Sequence, residues 1–263
     1  MPEAMAVWAA VSGITVGEAW LRRRDEPKPP ELVTRFQDAV AQLERGVPFA
    51  YAVGSAGFRT LDLKLDARAL IPRPETEGLV ELVLKHGERG LAADLGTGSG
   101  CIALSLAVEG DFDRVIAIER SPLAAELARE NVALVQPRTP VEIRAGNLFA
   151  PLGDKGERYR VIVSNPPYLT HDEYAALDAS VREYEPMEAL VSGADGLDAT
   201  RALLAGAQRY LQPGGMLALE IDERRADAVR ALAHESGWAR IGIHDDVFGR
   251  PRYALALREG EGD

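Results

Sequence analysis

Four consecutive residues stand out for chemistry: Asn165, Pro166, Pro167 and Tyr168, directly after the apolar run Val161-Ile162-Val163-Ser164. Two prolines fix the backbone direction and remove two N–H donors, so their carbonyls remain free as acceptors. With an amide in front and an aromatic ring behind, the segment predicts a rigid cup for a planar –NH₂ group. Its two N–H bonds would go to Asn165 Oδ1 and the Pro166 carbonyl, while Tyr168 packs against the flat group. A second cluster is Asp94-Leu95-Gly96-Thr97-Gly98-Ser99-Gly100. Glycines here permit a sharp turn and let a ligand approach main-chain N–H groups that a Cβ would block. The spacing is G-x-G-x-G; a dinucleotide fingerprint would need glycine at position 101, which is Cys101. Glu119 follows about twenty residues later, where a carboxylate can accept both hydrogen bonds of a ribose diol. Asn147 can bond an adenine edge while Leu148 or Phe149 packs on its face; an Asx turn is the competing reading.

These residues need elements to hold them. Strands are expected at 91–95, 115–118, 141–144, 160–164 and 216–221, and helices at 101–108, 122–135, 200–211 and 226–235. Ser121 serves as N-cap before Pro122, and Pro213-Gly214-Gly215 as a stop. Two closing strands, near 240–243 and 252–257, lack a long helix between them and predict an antiparallel edge pair. Alternating strands and helices imply an α/β fold whose mostly parallel, doubly wound sheet is covered on both faces. Ahead of it, residues 22–30 read as a turn or linker. The run at 31–46 has helical spacing, and alternation through 60–66 places Leu61, Leu63 and Leu65 on one strand face. The expected organisation is a small helical N-terminal domain (1–47), a hairpin-like linker (48–74) and the main domain (75–263).

The chain has 263 residues, 30 Lys plus Arg against 41 Asp plus Glu, and a net charge of −11. That balance argues against gripping long nucleic acid through its phosphates. A single cysteine rules out a disulfide framework. No apolar run reaches the ~18 residues of a membrane span, and the N-terminus lacks the basic region of a signal peptide. His86, His171, His234 and His244 show neither metal nor triad spacing. A cytoplasmic monomer without a metal is expected.

The combination DLGTGSG and NPPY resembles class I S-adenosylmethionine-dependent methyltransferases that act on planar amino groups. Within them it is similar to the HemK/PrmC family of release factor N5-glutamine methyltransferases. RGVPFAYAVG at 45–54, LIPRPETEGLVE at 70–81, VREYEPMEAL at 181–190 and QPGGMLALEI at 212–221 carry the likeness, which runs from about residue 32 to the end. The resemblance implies a seven-stranded Rossmann-like sheet and S-adenosyl-L-methionine as cofactor, with S-adenosyl-L-homocysteine as product. It implies that Gly96, Thr97, Gly98, Ser99, Gly100, Glu119, Asn147, Leu148 and Asn165 hold the cofactor. Asn165, Pro166, Pro167 and Tyr168 would bind the glutamine of the release factor's Gly-Gly-Gln motif. The family usually carries Asp where this chain has Asn147, and the stretch before Pro27 is short for its helical domain. Arg73 to Glu77 reads equally as helix capping or as a pocket wall, and residues 183–186 as bracing or contact. The rival readings are a nucleobase amino-group methyltransferase (adenine N6 or guanine N2), a ribosomal-protein glutamine methyltransferase, a nicotinamide oxidoreductase and an inactive binding module.

Overall fold

The computed structural model describes residues 2–24, 29–86, 89–153 and 156–260. The linker expected at 22–30 falls partly outside them. Helices α1 (Pro2–Ser12), α2 (Val16–Leu21), α3 (Pro30–Leu43) and α4 (Phe49–Val53) come first. Thr15 starts α2 with a capping box: its hydroxyl accepts from the Glu18 N–H, and Glu18 accepts from the Thr15 N–H at 2.9 Å. Val7, Val11, Ala39 and Val53 form a small core of their own, closed by Phe36. Helix α4 corrects the expectation of a plain hairpin from residue 48. Pro48 sets its start, left-handed Gly54 (φ +79°) ends it, and its apolar residues Tyr51, Ala52 and Val53 are buried. The hairpin follows as β1 (Ser55–Phe58) and β2 (Leu61–Lys64), antiparallel with Phe58 opposite Leu61.

The remainder runs α5 (Pro74–His86), β3 (Leu91–Leu95), α6 (Cys101–Glu109), β4 (Arg114–Glu119), α7 (Pro122–Val135), β5 (Val141–Ala145) and β6 (Tyr159–Ser164). Then come α8 (His171–Ala175), α9 (Ala179–Tyr184), α10 (Asp198–Ala207), β7 (Leu211–Glu220), α11 (Ala226–Glu235), β8 (Arg240–Asp245) and β9 (Pro251–Leu257). The seven-stranded sheet has the order β5-β4-β3-β6-β7-β9-β8. Strands β3 to β7 are parallel, and β9 runs antiparallel between β7 and β8, so the edges are β5 on one side and β8 on the other.

Two-residue periodicity explains why both faces are covered. Ala92, Val115, Val161 and Ala218 join Leu79, Val83 and Ile102 of α5 and α6 on one side. Their neighbours Ala93, Ile116, Ile162 and Leu217 meet Leu203, Leu204 and Val229 of α10 and α11 on the other. The helix expected at 200–211 stops at Ala207, because Leu211 is buried against the second face and already pairs with Tyr159. Pro213-Gly214-Gly215 then forms an irregularity inside β7 rather than a helix stop. A Cβ on Gly215 would lie 2.9 to 3.2 Å from three backbone oxygens. Among the described residues no helix is long and apolar enough to cross a membrane.

Candidate active site

Strand order reverses direction at β3: β4 lies on one side and β6 on the other. Open α/β sheets form a crevice at such a point, beyond the strands' carboxyl ends. Ser164 ties the crevice shut from below, its hydroxyl donating to the Leu95 carbonyl at 2.6 Å. Above it lies a cleft of about 430 Å³, within the range of small-molecule sites.

Of the residues singled out from sequence, Gly96, Gly98, Glu119, Asn147, Leu148, Asn165 and Pro167 line this cleft. Thr97, Ser99 and Gly100 are buried beneath it. The Thr97 hydroxyl donates to Asp94 Oδ2 at 2.5 Å, and the Ser99 carbonyl accepts from Asn131 at 2.9 Å. Gly96, Gly98 and Gly100 all have positive φ (77°, 56° and 87°), the region where a Cβ is strained. Buried Asp94 also accepts from the Ala103 N–H at the start of α6, while its Oδ1 has no partner. Burial pushes its carboxyl up to about 7.

Glu119 locks two loops together: Oε2 accepts from the Gly98 N–H at 2.9 Å and Oε1 from the Ser121 N–H at 2.8 Å. Each carboxylate oxygen keeps a second lone pair for a diol. At the far rim, Asn147 is exposed. Its side chain makes no Asx turn; the turn's bond runs instead from the Ala150 N–H to the Asn147 carbonyl. Leu148 takes φ +46° and faces the cleft, whereas Phe149 turns away and stacks on Tyr210 with ring centroids 5.1 Å apart. Of the two apolar candidates beside Asn147, Leu148 is therefore the one at the cleft.

On the opposite wall, Asn165 Nδ2 donates to Thr76 Oγ1 at 3.0 Å, and the Thr76 hydroxyl donates to Glu220 Oε2 at 2.6 Å. Among the described residues Asn165 Oδ1 has no hydrogen-bond partner, which leaves it as an acceptor at the cleft wall. Pro166 is buried and Tyr168 half-buried just behind, neither reaching the cleft lining. The Tyr168 and Leu169 N–H groups both donate to the Leu190 carbonyl, which pins the loop to the segment after α9. Burial pushes the Tyr168 phenol up to about 12, so it stays neutral.

Two readings that the sequence left open take definite form here, and one contribution had no signal in the sequence. Thr76, at the start of α5, is neither a cap nor a wall but the partner of Asn165. Glu185 is buried and accepts from the Ile71 N–H and from Arg73 at 2.6 Å, so residues 183–186 brace the segment 70–73. Pro186 meanwhile reaches the cleft itself. Asn131 on α7 bonds both the N–H and the carbonyl of Lys64, stapling the hairpin to the glycine loop through Ser99.

The Methyltransferase small domain profile matches residues 74–183. The release factor glutamine methyltransferase of Xylella fastidiosa is 42% identical over 246 residues, 92% of this chain and 88% of that protein. That of Mycolicibacterium smegmatis is 36% identical over 262 residues, covering 98% and 91%. The chain belongs to the release factor glutamine methyltransferase family. It is an S-adenosylmethionine-dependent methyltransferase by that membership. A methyltransferase from Pyrococcus furiosus (TM-score 0.56, 21% identity, 84% of this chain and 98% of that one) shares the fold. So does the hMettl16 catalytic domain (TM-score 0.58, 16% identity, 87% and 82%).

The cleft suits the family's cofactor. Its glycine wall leaves main-chain atoms open to a ligand, with nothing within 4 Å of a Cβ built on Gly96. Glu119, with its carboxylate, and Asn147 line the same cleft.

Proposed function

We propose that this protein transfers the methyl group of S-adenosyl-L-methionine to the side-chain amide nitrogen (N5) of a glutamine in a peptide chain release factor. The observation that carries this reading is Asn165: its Nδ2 is taken by Thr76, so its Oδ1 is presented across the cleft from the glycine loop. Membership of the family supplies the substrate, the glutamine of the Gly-Gly-Gln motif.

A carboxamide nitrogen is a poor nucleophile because its lone pair is shared with the carbonyl. Acceptors on both of its N–H bonds favour the positive charge that develops on nitrogen as the new bond forms. Asn165 Oδ1 takes one N–H at the cleft wall, where Pro167 also stands. The carbonyl of buried Pro166 would take the other only as the substrate amide enters between them, with Tyr168 backing the cup from behind. The bound cofactor supplies an electron-poor methyl carbon and a neutral sulfide leaving group. The Gly96–Gly100 loop, Glu119, Asn147 and Leu148 would hold it. No strong base is needed, since an N-alkylated amide cation sheds its proton readily. The protein would act in the cytoplasm as a monomer, and its net charge of −11 supports a protein rather than a nucleic acid as substrate.

Incubation with a purified release factor and isotopically labelled cofactor, followed by peptide mass spectrometry, tests the proposal. One added methyl on the Gly-Gly-Gln side chain is expected. Transfer to adenine or guanine amino groups, or to a ribosomal protein, with none to the release factor, overturns it.

A further inference from the structure

Behind Asn165 lie two buried polar side chains that the reaction itself does not use. Thr76 is 2% exposed and Glu220 is 1% exposed. They come from the start of α5 and the end of β7, and their hydrogen-bond chain leads to the cleft through the Asn165 amide. We propose that Thr76 and Glu220 are positioning residues that decide which end of the Asn165 amide faces the substrate. The proposal rests on Asn165 Oδ1 being the acceptor described above.

Proton counting gives the reason. A threonine hydroxyl has one proton, and an ionised carboxylate can only accept. With Glu220 ionised, the Thr76 proton goes to Oε2, 2.6 Å away. The Thr76 oxygen then meets Asn165 as an acceptor only. It can bind Nδ2, as it does at 3.0 Å, but would repel Oδ1. The amide is held with its oxygen outward. A protonated Glu220 can donate to Thr76 instead, which frees the threonine proton for an amide oxygen, and the discrimination is lost.

Arg73 faces Glu220 from just before α5 and Glu75 from its first turn, Arg252 and Tyr253 from β9, Tyr168 from the loop after β6, and Cys101 from α6. Burial, with help from Glu75, pushes the carboxyl up to about 7 against the pull of Thr76 and the two arginines. The amide selection therefore weakens as pH falls through that range.

The test compares Thr76→Val, Thr76→Ser, Glu220→Gln and Asn165→Ala at saturating release factor and cofactor, with melting curves and cofactor affinity measured alongside. Thr76→Val should lower kcat about 10- to 100-fold while leaving cofactor affinity within about twofold. Thr76→Ser should recover kcat to within about threefold of wild type, because the hydroxyl is restored. Wild-type kcat should fall on the acid side of pH 7, and Glu220→Gln, which cannot titrate, should flatten that limb. If Thr76→Val fails to fold, the Glu220→Gln pH profile decides. The proposal is overturned by wild-type kcat in Thr76→Val, by no recovery in Thr76→Ser, or by an unchanged acid limb in Glu220→Gln. Wild-type kcat in Asn165→Ala sinks the reading of Asn165 itself; an inactive Asn165→Ala beside a fully active Thr76→Val sinks the positioning role alone.

Discussion

The two walls of the cleft are built by different means. On the β3–β4 side, contacts join consecutive strands: backbone N–H groups of the glycine loop bind the Ile118 carbonyl and Glu119, about 21 residues on, and Ser121 closes the same carboxylate two residues further. On the β6–β7 side, a single amide depends on Thr76, 89 residues away, and Thr76 in turn on Glu220, 144 residues from it. The first wall needs only one strand–helix–strand unit, β3-α6-β4, to form. The second exists only when α5, β6 and β7 have packed. A wall of backbone donors tolerates many neighbours but few side chains at its glycines; a wall of side chains fails when any one partner is lost.

Several measurements would break or sharpen this contrast. Asn165→Ala should lose turnover about 100-fold or more, the scale of a removed transition-state contact, while calorimetry finds cofactor affinity nearly unchanged. Glu119→Ala should do the reverse. Equilibrium titration should show cofactor Kd raised about 10- to 100-fold, since two N–H groups and a diol lose a charged acceptor, with kcat at saturation largely kept. If both variants instead lose both properties, the two walls are not separable.

Smaller effects are expected in the surrounding scaffold. Arg73→Ala strands the buried Glu185 carboxylate and should lower unfolding free energy in urea by about 2 kcal/mol, reduced from the fully buried case because Arg73 is partly exposed. At the amino ends of the strands, away from either wall, Arg144 and then the Tyr159 hydroxyl hold the Glu157 carboxyl down to about 2. This depressed carboxyl stabilises the fold fully above its ordinary value of 4.5, and the contribution disappears as pH falls from there to about 2. Glu157→Gln should therefore lower the melting temperature at pH 7, leave it unchanged near pH 2, and leave kcat alone.

Much of the fold could be read from residue order. Helix α7 runs over the span that Ser121-Pro122 announced, and α11 and the parallel strands lie where apolar runs placed them. The errors have physical causes. Residues 49–53 are too short for helical periodicity to show, and their helix is held by Tyr51, whose hydroxyl donates to the Ala69 carbonyl at 2.6 Å. Residues 208–211 continue a helical pattern, but Leu211 is claimed by the sheet.

At the cleft the same division holds. Glycine spacing, Glu119 and the Asn-Pro-Pro-Tyr run are local patterns, and their chemistry follows from residue types within a few positions. Which way the Asn165 amide turns is a matter of hydrogen-bond partners brought from α5 and β7, and no one-dimensional pattern records a contact made across the sheet. Composition and spacing determined what kinds of groups would meet; only packing decided which atom of each would face the ligand, because direction belongs to the bonded pair rather than to either residue.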